Sequence, residues 1–307
     1  MNPIDLIQQG KITRYFRATQ KLNTPNLVSH ITQRAAGKGL LFLEDNDYIF
    51  MLGLLKEVTQ NYSLKMYAFC LMQNHIHLLF SPTKDNLYTT MRNLFSRYAM
   101  RFNKKYERKG HLFGGPYRQA VCLDDSYLLS ASLYIHLNPV KAGLASEPIS
   151  YRWSSCRLYC DEDAPKSFID PDFILSLLSE SKIERKDKYK LLMNKGIKLD
   201  TGHVLDHEDA TERFRSKLSY IFPSVFRRVN KKNHVAKPPG IDLISLEELE
   251  KQIEVMSTKH SPGKPETRKA KKYVIEQLIA RGYKRTEIEK RLGISAKTIY
   301  NILKSPL

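Results

Sequence analysis

Lys65-Met-Tyr-Ala-Phe-Cys-Leu71, Met72-Gln-Asn74 and His75-Ile-His-Leu-Leu-Phe-Ser81 read in order as a strand, a tight turn and a second strand. Both flanks are short, apolar and rich in aromatic or branched residues, and Gln73-Asn74 has the chemistry of a hairpin turn. The reading extends outward on both sides. Upstream, Met51, Leu54, Leu55 and Val58 fall at i, i+3, i+4 and i+7, which predicts a helix over Asn46 to Gln60 behind a capping Asp45 or Asp47. Before it, Leu27 to Gln33 reads as a strand. Downstream, Leu87, Met91, Leu94, Phe95, Tyr98 and Phe102 form one stripe of a helix from Leu87 to Tyr106. Tyr117 to Leu123 is a further strand, and Asp124-Asp125-Ser126 caps a helix running to about Leu137. The order βαββαβ plus a helix predicts an α+β fold, a ferredoxin-like sandwich of one sheet and two helices.

With 307 residues, 42% of them hydrophobic, the chain can bury a sizeable core and has room for two or three folded units. Lys and Arg number 50 against 32 Asp and Glu, a formal charge of +18, which points to a polyanionic partner with nucleic acid foremost. The longest apolar run, Tyr48 to Leu55, is far below the roughly 20 residues of a membrane span, so no membrane partner is expected. The N-terminus lacks the basic-then-apolar pattern of a signal peptide, and a cytoplasmic location is expected. Four scattered cysteines, Cys70, Cys122, Cys156 and Cys160, predict free thiols. Cys156 and Cys160 are spaced to share a helix face, but no second pair completes a zinc knuckle.

Three parts follow from the pattern: residues 1–160, a helical extension or spacer over 161–240, and residues 241–307. The middle part holds short helical stretches such as Asp170 to Leu178, and Asn230 to Gly240 is basic and proline-rich like a linker. Beyond it, helices are expected over Ser245 to Val255 and Arg268 to Arg281, the second closed by Gly282. Thr286-Glu-Ile-Glu289 reads as a capping box and Ser295 as the cap of Ala296 to Lys304. Two short helices joined by Leu292-Gly-Ile-Ser295 make a helix-turn-helix, with Ile288, Leu292, Ile294, Ile299 and Leu303 as its core.

Side chains alternate along a strand, so His75, His77 and Leu79 share one face and Ile76, Leu78 and Phe80 the other. Two adjacent imidazoles can hold one divalent cation, though the same pair also suits histidines simply hydrogen-bonded on a sheet face. Tyr134 and Asn138 lie one helical turn apart, which adds an amide oxygen as a hard third ligand beside a phenol. Pro139 disfavours helical geometry at Asn138 and is expected to end or kink the helix there. A basic helix face, Arg97, Arg101, Lys104, Lys105 and Arg108, suits a phosphate backbone or a solvated surface.

Five ordered blocks then carry a resemblance: Cys70-Leu-Met-Gln-Asn-His-Ile-His-Leu-Leu79, Gly110-His-Leu-Phe113, Asp125-Ser-Tyr-Leu-Leu129, Tyr134-Ile-His-Leu-Asn-Pro-Val-Lys-Ala-Gly-Leu144 and Tyr151-Arg-Trp-Ser-Ser155. Over about residues 25 to 160 the chain resembles the single-tyrosine HUH transposases, the REP-associated tyrosine transposases in particular. The resemblance implies Mg²⁺ or Mn²⁺ held by His75, His77 and Asn138, and Tyr134 as nucleophile. It further implies cleavage and rejoining of single-stranded, hairpin-bearing DNA through a 5′-phosphotyrosine, and it leaves a homodimer open. Two positions depart from the family pattern: Gln73 stands where proline is usual, and Gly114-Gly-Pro116 replaces a polar, basic stretch. Residues 243–304 are similar to the helix-turn-helix domain that ends the bacterial replication initiator, which implies duplex binding. There, Lys297, Thr298 and Asn301 lie on the exposed side of the recognition helix. Two rival readings are a non-catalytic DNA-binding regulator of the same fold and a metal phosphodiesterase that uses water.

Overall fold

The computed structural model describes residues 15–16, 21, 23, 25–122, 124–199, 210–232, 244, 246–258, 265–280, 283 and 285–304. They fall into two compact units, one drawn from residues 23–117 and 122–240, the other from residues 1–22, 118–121 and 241–307. In chain order the elements of the sandwich are β2 (Ser29–Arg34), α1 (Asp45–Asn61), β3 (Leu64–Met72), β4 (His75–Pro82), α2 (Leu87–Lys105), β5 (Arg118–Val121) and α3 (Asp125–Lys141). This is the βαββαβ order with the expected extra helix. A two-residue strand, β1 (Tyr15–Phe16), precedes them and pairs antiparallel with β5 in the second unit.

β4 is the central strand of the first unit, antiparallel to β2 on one side and to β3 on the other. Every residue of β4 is buried, so both of its faces are covered. On one face Ile76, Leu78 and Phe80 join Met51, Leu54, Leu55 and Val58 of α1 and Met91, Leu94, Phe95 and Tyr98 of α2 in a single apolar cluster. On the other, Leu79 packs with Ala68, Cys70 and Met72 of β3 under Leu133, Tyr134 and Leu137 of α3. The outer edge of β3 is closed as well. Leu71 N–H donates to the Trp153 carbonyl at 2.9 Å, and Ser155 N–H to the Phe69 carbonyl at 3.1 Å, so Tyr151-Arg-Trp-Ser-Ser155 shields an edge that would otherwise invite pairing.

From Cys156 on, the described residues of the first unit supply packed helices: α4 (Cys156–Cys160), α5 (Asp172–Leu175), α6 (Lys182–Ile197), α7 (Ala210–Ile221) and α8 (Pro223–Lys232), of which α5 to α8 contribute Leu175, Tyr189, Leu192, Phe214, Leu218 and Val229 to the cluster beneath α3. The stretch expected as one helix over Asp170 to Leu178 is helical only over Asp172–Leu175. Asn230, taken as the start of a linker, lies in α8, and residues 233–240 lie outside the described residues. All four cysteines are buried and free.

The second unit holds α9 (Leu246–Thr258), α10 (Pro265–Ala280), α11 (Arg285–Leu292) and α12 (Ala296–Lys304). Ser245, Arg281 and Gly282, which bounded the expected helices, lie outside the described residues. α11 begins at Arg285, before Thr286, so Thr286 and Glu289 sit inside the helix rather than forming its capping box. Ser295 caps α12 as expected, its hydroxyl accepting from Thr298 N–H at 3.2 Å. Ile288, Ile299 and Ile302 are buried, while Leu303 is half-buried. Ile299 is inward as expected, and Ile302, three residues on along the same face, is more buried than the expected Leu303.

The start of α1 also differs. Its N-cap is Glu44, and Asp47 reaches back as the third residue of a capping box. Asp47 accepts from Leu43 N–H at 3.0 Å, Glu44 N–H at 3.3 Å, the Tyr106 hydroxyl at 2.7 Å and the Lys105 ammonium at 2.6 Å. Burial pushes its carboxyl pKa up, but the bonds from Lys105, Leu43, Tyr106 and Glu44 outweigh that and hold it below the usual 3.8. Replacing Asp47 by Ala strands several donors and should lower unfolding free energy by about 2–3 kcal/mol. A depressed carboxyl stabilises above its unfolded pKa and stops doing so as pH falls through its folded one. The gap between wild type and Asp47→Ala in urea melts is therefore expected to be full at pH 7 and to narrow below pH 3.8.

Candidate functional site

His75 and His77 project from β4 to the face that α3 covers, with ring centroids 4.8 Å apart and planes at 88°. Each imidazole has its Nδ1 engaged. Asn74 Oδ1 accepts from His75 Nδ1–H at 2.7 Å, and His77 Nδ1 lies 2.9 Å from His30 Nε2 and 3.3 Å from Thr32 Oγ1. The antiparallel register explains the second set, since Thr32 of β2 stands opposite His77 and Arg34 opposite His75. His77 Nε2 is buried and has no hydrogen-bond partner among the described residues.

α3 brings Tyr134 to this cluster. Its ring meets His77 edge-on at 5.9 Å and His30 at 6.3 Å, and Phe214 of α7 packs against it at 6.2 Å. The helix does not stop at Leu137: it runs through Pro139 to Lys141, so Tyr134 and Asn138 keep their one-turn spacing. Helical geometry survives before the proline in part because Asn138 Nδ2 donates to the Tyr134 carbonyl at 3.0 Å. That bond commits the amide nitrogen and leaves Oδ1 as the atom able to accept or ligate. Two residues earlier, His136 bridges Tyr189 OH and Ser155 Oγ at 2.8 Å each, tying α3 to α6 and to the segment along the β3 edge. Tyr127, two turns before Tyr134, is wholly buried in the same cluster beneath α3.

Burial keeps all these imidazoles neutral. It lowers His30 to about 4 and His136 to about 3. Burial with the charge of Arg34 takes His75 to about 3, and burial with His75, His30 and Arg34 takes His77 well below its usual value. Neutral imidazole is the form that binds a metal. Among the described residues no three His, Cys, Asp or Glu side chains cluster as a metal site, so the donors brought together here are the two imidazoles. Such a set, with one buried and unengaged Nε2, fits a divalent cation that keeps open positions for other oxygen ligands.

Residues 26–138 match the family model described as "Transposase IS200 like". This segment is similar to the IS200-like transposases. The match ends on Asn138 and so takes in β2 to α3 with His75, His77 and Tyr134. Among solved structures, one titled as a REP-associated tyrosine transposase bound to a REP hairpin is similar over 49% of this chain and 92% of that one, at 13% identity and a TM-score of 0.40. No curated protein sequence matches the chain.

The other residues expected to make contacts are distributed differently. Arg97 forms two bonds to Glu57, at 2.5 and 2.8 Å, and Lys105 pairs with Glu44 and Asp47, so these cations bind α2 to α1. Arg101 lies over Phe50 at 4.3 Å and Arg108 over Phe102 at 5.9 Å, while Lys104 is exposed. Gly114-Gly115-Pro116 lines a groove of about 690 Å³ along α2 with Tyr88, Arg92 and His111. Glycine is required there: a Cβ on Gly114 would stand 2.9 Å from the Ala35 carbonyl, and Gly115 has φ of 145°. The backbone carbonyl of Gln73, which proline would equally supply, accepts from Leu41 N–H at 2.7 Å. In the second unit Lys297, Thr298 and Asn301 are exposed on α12. No helix of the described residues is long and apolar enough to cross a membrane.

Sequence reasoning missed His30, Thr32 and Arg34, which complete the polar cluster from β2. Their alternation at 30, 32 and 34 was visible, but only the pairing with β4 gives it meaning. A consequence concerns stability against pH. Each neutral buried imidazole takes up a proton on unfolding once pH falls below 6.5, so stability is full above that value and lost toward about 4 for His30 and about 3 for His75 and His136. In EDTA, unfolding free energy should fall with acid by about 1.4 kcal/mol per pH unit for each such group. A His75→Ala/His77→Ala protein should show a slope shallower by two protons, which denaturant melts between pH 6 and 4.5 would measure.

Proposed function

We propose that this protein cleaves and rejoins single-stranded DNA, with Tyr134 as nucleophile and His75, His77 and Asn138 as ligands of Mg²⁺ or Mn²⁺. The observation that carries the reading is the meeting of Tyr134 with the paired imidazoles, 5.9 Å from the His77 ring in a buried pocket. The match of residues 26–138 to a transposase family model supports the substrate class. So does the chain's charge of +18.

Tyr134 oxygen attacks a phosphodiester phosphorus in line, and the P–O3′ bond breaks. The tyrosine then carries the 5′-phosphate, and the departing 3′-oxygen takes a proton to become a hydroxyl. Return attack by a 3′-hydroxyl breaks the phosphotyrosine bond and reseals a strand without an external energy source. A bound divalent cation would supply Lewis-acid neutralisation of the non-bridging oxygens. Arg34, opposite His75, adds fixed positive charge beside the same cluster. Tyr134 is only 3% exposed, so strand entry requires the side chains over it, Phe214 among them, to give way.

The second unit serves as a duplex-binding module, with Lys297, Thr298 and Asn301 of α12 toward base edges or phosphates and the 233–240 segment joining it to the first. Hairpin DNA is the substrate of the first unit, and Arg101 and Lys104 of α2 with Arg108 just beyond it add positive charge for its backbone, beside Arg97 and Lys105, which are paired with α1.

Three measurements test this. Tyr134→Phe removes one oxygen and keeps the ring contacts, so the covalent protein–DNA band on a denaturing gel should vanish at unchanged binding. Tyr127→Phe should keep the band; an adduct mapped to Tyr127 in the Tyr134→Phe protein would refute the nucleophile. A hydrolase would cut without any adduct, and a regulator would leave DNA whole. His75→Ala/His77→Ala should abolish metal-dependent cleavage while retaining most affinity, because charge dominates binding. A chain ending at residue 240 should still cut hairpin DNA yet lose at least tenfold in duplex affinity; equal duplex binding would assign the second unit to protein contacts.

A further inference from the structure

His30 belongs to neither the His-x-His strand nor the tyrosine helix, yet it sits between them. It lies on β2 opposite Leu79, two register steps from the Thr32–His77 pair and so on the same face of the strand as Thr32. It is 4% exposed, its ring is 5.1 Å from that of His77, and its Nε2 is 2.9 Å from His77 Nδ1. We propose that His30 is a positioning residue: it accepts the Nδ1 proton of His77 and thereby presents His77 Nε2 to the divalent cation as a bare lone pair. This inference rests on the reading of His75 and His77 as metal ligands.

A neutral imidazole carries one proton, and coordination through Nε2 requires that proton to be on Nδ1. A buried Nδ1–H left without an acceptor costs about 1–3 kcal/mol, so an acceptor at this spot sets both tautomer and ring orientation. His75 shows the same device by a shorter route. Asn74 Oδ1, an atom that can only accept, takes its Nδ1–H at 2.7 Å, which leaves Nε2 as the ligating nitrogen. For His77 the acceptor comes from 47 residues away, and the remaining alternative, Thr32 Oγ1, is more distant at 3.3 Å. In the tautomer that carries its proton on Nδ1, His30 offers Nε2 as the acceptor 2.9 Å from His77 Nδ1.

The test uses the full chain and Mn²⁺ binding followed by electron paramagnetic resonance. His30→Leu removes the acceptor and should weaken Mn²⁺ binding about 10–100-fold, as loss of an outer-shell partner typically does. His30→Gln places an amide oxygen near the former Nε2 and should restore binding to within about threefold. In the Mg²⁺-loaded wild type, nitrogen-15 spectra of the histidine rings should show His77 protonated at Nδ1 and bare at Nε2. Wild-type affinity in a folded His30→Leu protein, with affinity lost in His77→Ala, would overturn the role of His30 and leave the ligand assignment standing. Unchanged affinity in His77→Ala would overturn the assignment itself, and the inference with it. Should His30→Leu fail to fold, His30→Gln and the wild-type spectra still decide: an Nε2–H tautomer of His77 in the loaded protein refutes the proposal.

Discussion

The structure depends on β4 being buried on both faces. A central strand without a solvent face must place every second side chain in one dry layer and the rest in another. Ile76, Leu78 and Phe80 satisfy one layer by packing under α1 and α2. The other layer receives His75 and His77, whose polar atoms cannot go to water. Imidazoles tolerate this only as neutral, hydrogen-bonded rings, and the fold supplies Asn74, Thr32 and His30 for that purpose. The same burial that makes the site expensive keeps its imidazoles neutral.

α3 is the second fixed part. It carries Tyr134 against the histidine layer, with Asn138 one turn on, and its outer surface is covered by helices that follow residue 160. Gly196 of α6 shows how close that cover is, since a Cβ there would meet Leu137 at 2.7 Å and Phe214 at 3.2 Å. His136 adds direction to the packing through its bonds to Tyr189 and Ser155. Apolar contact alone would let the helix rotate or slide, whereas a buried two-sided hydrogen bond permits one phase. The phase it permits is the one that turns Tyr134 toward His77.

The basic residues of α2 illustrate why charge on a helix face is poor evidence for a ligand. Arg97 and Lys105 meet Glu57, Glu44 and Asp47 of α1, so part of the charge counted along the sequence is spent inside the fold. The net excess of +18 is unaffected by such pairing, and it is the quantity that governs long-range attraction to a polyanion.

Much of the site was legible because it follows local periodicity. Period two along His75 to Ser81 puts both imidazoles on one face, and a spacing of four puts Tyr134 and Asn138 on one helical turn, whatever the rest of the chain does. The apolar stripes of α1 and α2 gave the sandwich for the same reason. Helix phase and ends were less legible, as at Asp47, Thr286 and Ile302, because single residues of a cap or core are chosen by their neighbours in space. His30 was invisible as a partner of His77, and Phe214 as the cover of Tyr134, since no local period links residues that far apart. Sequence by itself determined which side chains share a strand face or a helix turn. Only the tertiary structure, through antiparallel register and the packing of α7 on α3, decided which of those faces meet.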